Sequence, residues 1–395
     1  MAKKRIRAGI VGSGFAASFH VEALRRVYGV EAEITGVFSP TPQHRDAFAK
    51  KNEISGAESL EALIDVCDVV HICVPPAAHE PAAVQALEAG KTVIVEKPFT
   101  GYFGDGSEAF SGESFAREEG LKGALGSVRR MIDAERRSAG RIFYAENWVY
   151  APAIQKEREI IEKTGAQILW MHGEESHSGS HSQYYGIWNY SGGGSMIGKG
   201  VHPLTAALYL KKVEGRMRGG GPIRPAAVSA RTHTITRNEN FIDKEHLRTT
   251  YTDTEDFAQI HVVFEDGTFA DIFASELVLG GVHNWIEISA NNHRGICNIN
   301  PNTSFQTYNP REEYFNEIYV VEKTGTKQGW AFTSPDEDWF TGYQHEIEAF
   351  YRCAADGIPV EADSLLAADT IAVVYAGYLS AERKGAEVKI PDLKE

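Results

Sequence analysis

RIRAGIVGSGFAA, residues Arg5–Ala17, decides the fold. A short apolar run ends in Gly12-Ser13-Gly14-Phe15-Ala16-Ala17, and a helical pattern, FHVEALRRVYG, follows at once. The run is brief, breaks into glycine and lacks a small-residue cleavage site, so it reads as a first β-strand and not as a signal peptide. The spacing is G-x-G-x-x-A. In it Gly12 permits a tight turn, Gly14 lets backbone approach a pyrophosphate, and the small Ala17 lets helix pack on strand, with phosphates at the positive helix N-terminus. Its weight comes from its place between the first strand and first helix of a βαβ unit.

Working outward to Pro98, short β-rich runs alternate with helical ones. AEITGVFS, DVVHICVP and KTVIVEKP read as strands; TPQHRDAFAKKN, SLEALIDV and HEPAAVQALEAG read as helices. Such alternation implies parallel strands, right-handed crossovers and helices on both faces, a doubly wound domain. The second strand ends in GVFSPTPQHR, without the acidic residue that favours NAD; it offers Ser39 and Thr41, then His44 and Arg45, so NAD or NADP both remain open.

After Pro98 the rhythm breaks. TGYFGDGSEAFSGES reads as a loop, and GSVRRMIDAERRS as a helix. Six strand candidates follow: RIFYAENWVY, QILWMHGEES, AAVSARTHTI, DFAQIHVVFEDGTFADIFAS, NWIEISANN and RGICNIN. Glu265-Asp266-Gly267 marks a hairpin inside the fourth. The tail returns to helix at YQHEIEAFYRCAADG and SLLAADTIAVVYAGYLSAERKG.

The chain has 395 residues and a formal net charge of −14. Two or three domains fit that length. The charge disfavours nucleic acid and anionic membranes and leaves a small molecule as the expected ligand. No window approaches 18 consecutive apolar residues, which argues against a membrane span. Cys67, Cys73, Cys297 and Cys353 form no C-x-x-C pair and read as reduced core thiols of a cytoplasmic protein.

GIVGSGFAASFH at the start, VPPAAH ending at His79, VEKP with Glu96–Pro98, and GGG…GxH at Gly192–His202 together resemble the glucose-fructose oxidoreductase, inositol dehydrogenase and MocA (Gfo/Idh/MocA) oxidoreductases. The resemblance extends over almost the whole chain. It implies a Rossmann dinucleotide-binding domain, residues 1–126, in which segment 101–126 is longer than the family has at this point and reads as a lid or oligomer arm. Residues 127–395 would form an α+β substrate-binding and oligomerisation domain with an open-faced, largely antiparallel sheet, its C-terminal helices packing back toward the first domain. The implied reaction is NAD(P)-dependent oxidation of a secondary alcohol, or reduction of the ketone, on a sugar, sugar acid, glycoside or polyol.

Matched by position, Lys97 contacts the substrate hydroxyl and the nicotinamide side, and Pro75, Pro76 and His79 form a loop on the cofactor. Gly12, Gly14, Phe15, Ala16, Ser39 and Glu96 complete the cofactor set. Asn147, with Trp148 and Tyr150, falls on the first strand of the sheet domain, facing nicotinamide and substrate. The glycines at Gly192–Gly194 let backbone lie close to the nicotinamide site, and His202 serves as acid/base or substrate ligand.

The family commonly has an aspartate four residues before this histidine, on one helical face with it. Here that position is Gly198, followed by Lys199, which points about 100° away in helical geometry. Oxidation still requires a base, for which histidine qualifies unperturbed and lysine only if its pKa is depressed. His202 is therefore the candidate base, Lys97 the orienting and polarising group, and Lys199 a candidate for a substrate carboxylate or phosphate. Tyr184, Tyr185, Trp188 and Tyr190 offer flat faces for a pyranose, or simply pack on the sheet. Glu174, His177 and His181 with His202 form a weak metal-ligand pattern without a second shell, so no metal is expected. Two other readings are a transient-redox hydrolase or epimerase with tightly held NAD, and a non-catalytic nucleotide sensor. A homodimer or homotetramer is expected, because an open sheet needs its outer face covered.

Overall fold

The computed structural model describes residues 3–107, 109–180, 182 and 184–392. The stretch up to Pro98 alternates as its pattern predicts: β1 (Arg5–Val11), α1 (Phe15–Arg25), β2 (Glu31–Phe38), α2 (Pro42–Asn52), α3 (Leu60–Val66), β3 (Val69–Ile72), α4 (His79–Glu88) and β4 (Thr92–Glu96). Buried apolar strands such as β3, VVHI, suit a parallel sheet covered on both sides. Helix α5 (Arg117–Arg137) follows, then β5 (Ile142–Ala145), and the sheet order is β2-β1-β3-β4-β5, parallel throughout.

Strand β5 corrects one expectation. RIFYAENWVY is not a strand of the second sheet: Ile142–Ala145 pairs in parallel with Val93–Glu96. The run stops at Glu146, whose carboxylate accepts from Trp148 N at 3.3 Å and caps the short helix α6 (Asn147–Tyr150). The outer edge of β5 is covered by the chain itself, Tyr144 N donating to Ala362 O at 2.9 Å.

The segment after Pro98 is docked. Tyr102, Phe110 and Phe115 cluster together, the Arg117 guanidinium lies 4.4 and 4.3 Å from the ring centres of Phe115 and Trp188, and Tyr102 N donates to Tyr375 Oη at 2.6 Å. Helix α5 begins at Arg117, earlier than the predicted Gly126, with acidic residues in its first turn and basic ones in its last, matching the helix dipole.

Next come α7 (Pro152–Thr164), β6 (Ile168–Ser176), α8 (Trp188–Ser191), α9 (Ser195–Gly198), α10 (Val201–Met217), β7 (Pro225–His233), β8 (Phe257–Phe264), β9 (Phe269–Ser275), β10 (His283–Ala290) and β11 (Arg294–Asn300). An unforeseen two-stranded sheet pairs β12 (Gln306–Asn309) with β13 (Gly329–Phe332). The chain closes with α11 (Glu337–Thr341), α12 (Tyr343–Asp356), α13 (Ser364–Glu382) and β14 (Val388–Lys389). The second sheet runs β11-β10-β6-β9-β8-β7-β14 and is antiparallel except between β6 and β9. Gly267 turns the predicted β8–β9 hairpin at φ +79°.

Helices α7, α10 and α13 pack on one face of this sheet. Helix α13 is long and apolar enough to cross a membrane, but it is buried among α5, α10 and β7. All four cysteines are free and buried.

Candidate active site

The glycine-rich turn divides its labour. A Cβ on Gly12, at φ +113°, would lie 2.3 Å from Cys73 O, so this glycine is required by the end of β3. A Cβ on Gly14 would meet nothing within 4 Å. Open space thus faces the first turn of α1, whose N–H groups have no partners within the helix. Phe15 is exposed, Ala16 is half-buried, and Ser13 Oγ bonds Ser39 Oγ at 3.1 Å, tying the turn to the end of β2. These residues fit a dinucleotide pyrophosphate. Thr41 and His44 are exposed nearby, whereas Arg45 is committed to Asp46, Glu58 and the Ala57 carbonyl.

At the end of β4, Glu96 lies buried within a relay. Its Oε1 meets His20 Nε2 at 2.9 Å, His20 Nδ1 meets His71 Nδ1 at 2.7 Å, and His71 Nε2 meets Tyr351 Oη at 2.9 Å. Burial holds His71 well below its usual pKa, hence neutral. One donor order satisfies the chain: Tyr351 to His71, His71 to His20, and His20 to Glu96. Burial pushes the Glu96 carboxyl up, but the His20 hydrogen bond and the charges around it hold it below the usual carboxylate range. Its Oε2 accepts Lys97 N at 3.0 Å. Glu96 therefore shapes this corner, with both oxygens engaged. His79 does likewise, both ring nitrogens lying 2.9 Å from the carbonyls of Pro98 and Val74. Pro75 and Pro76 start the turn between that staple and β3.

Lys97 projects toward α9, its Nζ donating to Gly198 O at 3.1 Å. Burial pulls its pKa down, but Tyr185, Glu175, Glu96 and Glu146 outweigh it and hold the ammonium above the ordinary lysine value. Lys97 is thus a charged donor and not a base.

His202, in the first turn of α10, is buried against Trp148 with ring centres 5.9 Å apart. Its Nδ1 lies 2.6 Å from Glu146 Oε1. A carboxylate there fixes the Nδ1–H tautomer and leaves Nε2 with a lone pair. Glu175 Oε2 lies 3.7 Å from that Nε2. Glu146 and Glu175 were not foreseen. Glu146 had a local signal, a carboxylate two residues before the helix N–H that it caps; Glu175 had only the alternation of its strand.

The remaining predicted residues divide. Tyr185 joins the site, since a Cβ on Gly198 would stand 2.9 Å from its ring. Lys199 is buried, not solvated, with its ammonium paired to Glu276. Asn147 is in a helix, where its side-chain amide donates to Thr341 O at 2.7 Å. Tyr150 accepts from Ala362 N at 3.2 Å and lines a separate pocket with Trp339 and Glu361. Trp188 packs under the 101–116 segment, its Nε1 donating to Tyr102 O at 2.9 Å. Tyr184 and Tyr190 are exposed and face each other. At Gly192–Gly194, expected to lie beside the nicotinamide, added Cβ atoms would strike Tyr375, Tyr378 and Glu255. On that side the space is taken by the two tyrosine rings and by Glu255, its backbone included. His181 lies outside the described residues, and among the described residues no group of acidic, His and Cys side chains could hold a metal.

Comparison with known proteins agrees with this layout. Residues 6–120 match the model of an oxidoreductase family with an NAD-binding Rossmann fold, GFO_IDH_MocA. UDP-N-acetylglucosamine 3-dehydrogenase of Acidithiobacillus ferrooxidans is 30% identical over 129 residues, 33% of this chain and 39% of that protein. Inositol 2-dehydrogenase of Corynebacterium glutamicum is 34% identical over 103 residues, 25% of this chain and 29% of that protein. The match thus spans well under half the length of these relatives. The crystal structure of GenD2 from gentamicin A biosynthesis, in complex with NAD, superposes with TM-score 0.77 at 20% identity, covering 98% of this chain and 97% of that one; it shares the fold.

Proposed function

From the premise that its first domain is that of a Gfo/Idh/MocA oxidoreductase, we propose that this protein oxidises a secondary alcohol of a sugar, sugar acid, glycoside or polyol, or reduces the ketone. The observation that carries the reading is the pairing of a charged Lys97 with a His202 whose Nε2 is left as the base. A bound nicotinamide dinucleotide supplies the two-electron acceptor. Lys97 retains donors beyond the one given to Gly198 O, and these polarise the hydroxyl oxygen. His202 Nε2 takes the hydroxyl proton while the carbinol C–H pair departs with its hydrogen, and the C–O bond becomes C=O. Glu146 steadies the imidazolium that forms.

NAD is the preferred cofactor in this reading. Arg45, the cation placed to take a 2′-phosphate, is already engaged by Asp46 and Glu58. The outer face of the second sheet supports a homodimer or homotetramer, since Trp170 stacks on Phe269 and His172 touches Phe273 and Trp285 there; a monomer in sedimentation would remove that part.

The test is turnover, by nicotinamide absorbance, of hexoses, hexuronates, anhydrosugars, glycosides and inositols with NAD and NADP. NAD is expected to be preferred about tenfold or more in kcat/KM, roughly 1.4 kcal/mol. His202→Gln is expected to lower kcat by about 10²- to 10⁴-fold while NADH still binds. No turnover of any compound overturns the reading. Product without net NADH would favour transient redox. Nucleotide binding unaccompanied by turnover, with Lys97→Ala and His202→Ala both silent, would favour a sensor.

A further inference from the structure

Position 198 brings no carboxylate to the site, yet strand β6 brings one from the other side. Along β6, Met171, Gly173 and Glu175 share a face because side chains alternate with period two. That face meets the start of α10. A Cβ on Gly173 would lie 2.9 Å from Pro203 Cβ, so the glycine lets the strand approach the helix at the residue after His202. Glu174 belongs to the opposite face, in register with Phe273 and Trp285.

Glu175 is 8% exposed, and its Oε2 has no hydrogen-bond partner among the described residues. A buried polar atom left unpaired has lost its water without a replacement, so it is held at a cost that a ligand's hydrogen bond would relieve. Here the orphaned oxygen stands 3.7 Å from the imidazole nitrogen that serves as base. The titratable groups around it are His202 on α10, Lys97 after β4, Lys199 after α9 and Glu146 before α6. Burial raises the pKa of this carboxyl above its ordinary value, although the Lys97 and Lys199 ammonium groups work the other way.

We propose that Glu175 holds the hydroxyl next to the one being oxidised, so that the substrates of this site are vicinal diols. His202 Nε2 receives the reacting hydroxyl and Glu175 Oε2 accepts a hydrogen bond from its neighbour. Two acceptors on one side of the site match the two oxygens of a gauche diol. No bond of Glu175 forms or breaks; its part is to fix which carbon faces the nicotinamide side and to reject an alcohol that lacks the second hydroxyl. The Gly198–Tyr185 contact fits this arrangement, because a side chain at 198 would meet the Tyr185 ring. The inference rests on the alcohol-oxidising reading above.

The experiment compares trans-1,2-cyclohexanediol with cyclohexanol, and D-glucose with 2-deoxy- and 4-deoxy-D-glucose, in the parent, Glu175→Met and Glu175→Gln. NADH affinity of each protein is measured by fluorescence titration. In the parent, loss of the neighbouring hydroxyl is expected to lower kcat/KM roughly 10- to 150-fold, the worth of a hydrogen bond to a charged group. In Glu175→Met that difference is expected to shrink to within about threefold, with NADH affinity kept, and in Glu175→Gln to fall between the two. Undiminished discrimination in both variants overturns the proposal, as does a parent that turns over monol and diol alike. If Glu175→Met fails to fold, the Gln variant decides by the same ratio. A parent that oxidises no alcohol, here or among the sugars and inositols above, takes down the functional reading and this one with it, a result distinct from an active parent whose variants discriminate unchanged.

Discussion

Gly12–Ala17 and Gly192–His202 are both glycine-rich stretches leading into a helix, and the sequence suggests one purpose for both: to let backbone come close to the cofactor. The structure separates them. At the first, Gly12 yields to Cys73 O while Gly14 faces open space. At the second, all three leading glycines are filled from within, and Glu255 caps the turn by accepting from Gly194 N at 3.1 Å and Met196 N at 2.9 Å. Only further along, at Gly198, does a missing side chain adjoin a site residue. A glycine run therefore reports a close approach, not what approaches.

The comparison can be broken most sharply at Gly194. A Cβ there would stand 2.0 Å from Glu255 O, a backbone atom that cannot swing away. Gly194→Ala is expected to cost about 3 kcal/mol or more, measured by urea unfolding; a stability close to the parent's would return this stretch to a ligand-facing role.

A subtler effect comes from Glu255 itself. Burial raises its folded pKa above the unfolded value, although Met196 N and Tyr378 Oη work the other way. The folded chain then binds the proton more tightly than the unfolded chain does. This contribution to stability is complete below the ordinary carboxylate range and is lost as pH rises through the raised value. Glu255→Gln is expected to flatten that decline in urea midpoints measured across the acid range; an unchanged slope would place the decline elsewhere.

The smallest stability change belongs to Gly14. Gly14→Ala, with nothing within 4 Å of the new methyl, is expected to stay within about 0.5 kcal/mol of the parent. Its NADH affinity should nevertheless weaken about tenfold, roughly 1.4 kcal/mol, in a fluorescence titration. Unchanged affinity would mean that no ligand approaches this turn.

Much of the fold was legible because its signals are local. Strand and helix periods from Arg5 to Pro98, the Glu265–Gly267 turn and the apolar tail helices are written in neighbouring residues. RIFYAENWVY misled because ten residues of strand-like composition do not say where a buried Glu146 will cap a helix, nor which sheet has a free edge. Lys97 and His202 were reachable through the resemblance. Asn147, Tyr150 and Trp188 carried the right chemistry, and each makes a hydrogen bond within the protein, to Thr341, Ala362 and Tyr102, that no local pattern announces.

By itself the sequence determined the doubly wound first sheet and the mainly antiparallel second one, and through its resemblance it offered a lysine and a histidine as candidates for alcohol chemistry. Only the tertiary structure decided that β5 completes the first sheet, that Glu146 fixes the His202 tautomer, and that Glu175 rather than Glu174 faces it. The reason is geometric: periodicity assigns a residue to a face, but which element that face meets depends on pairing and packing between segments far apart in the chain.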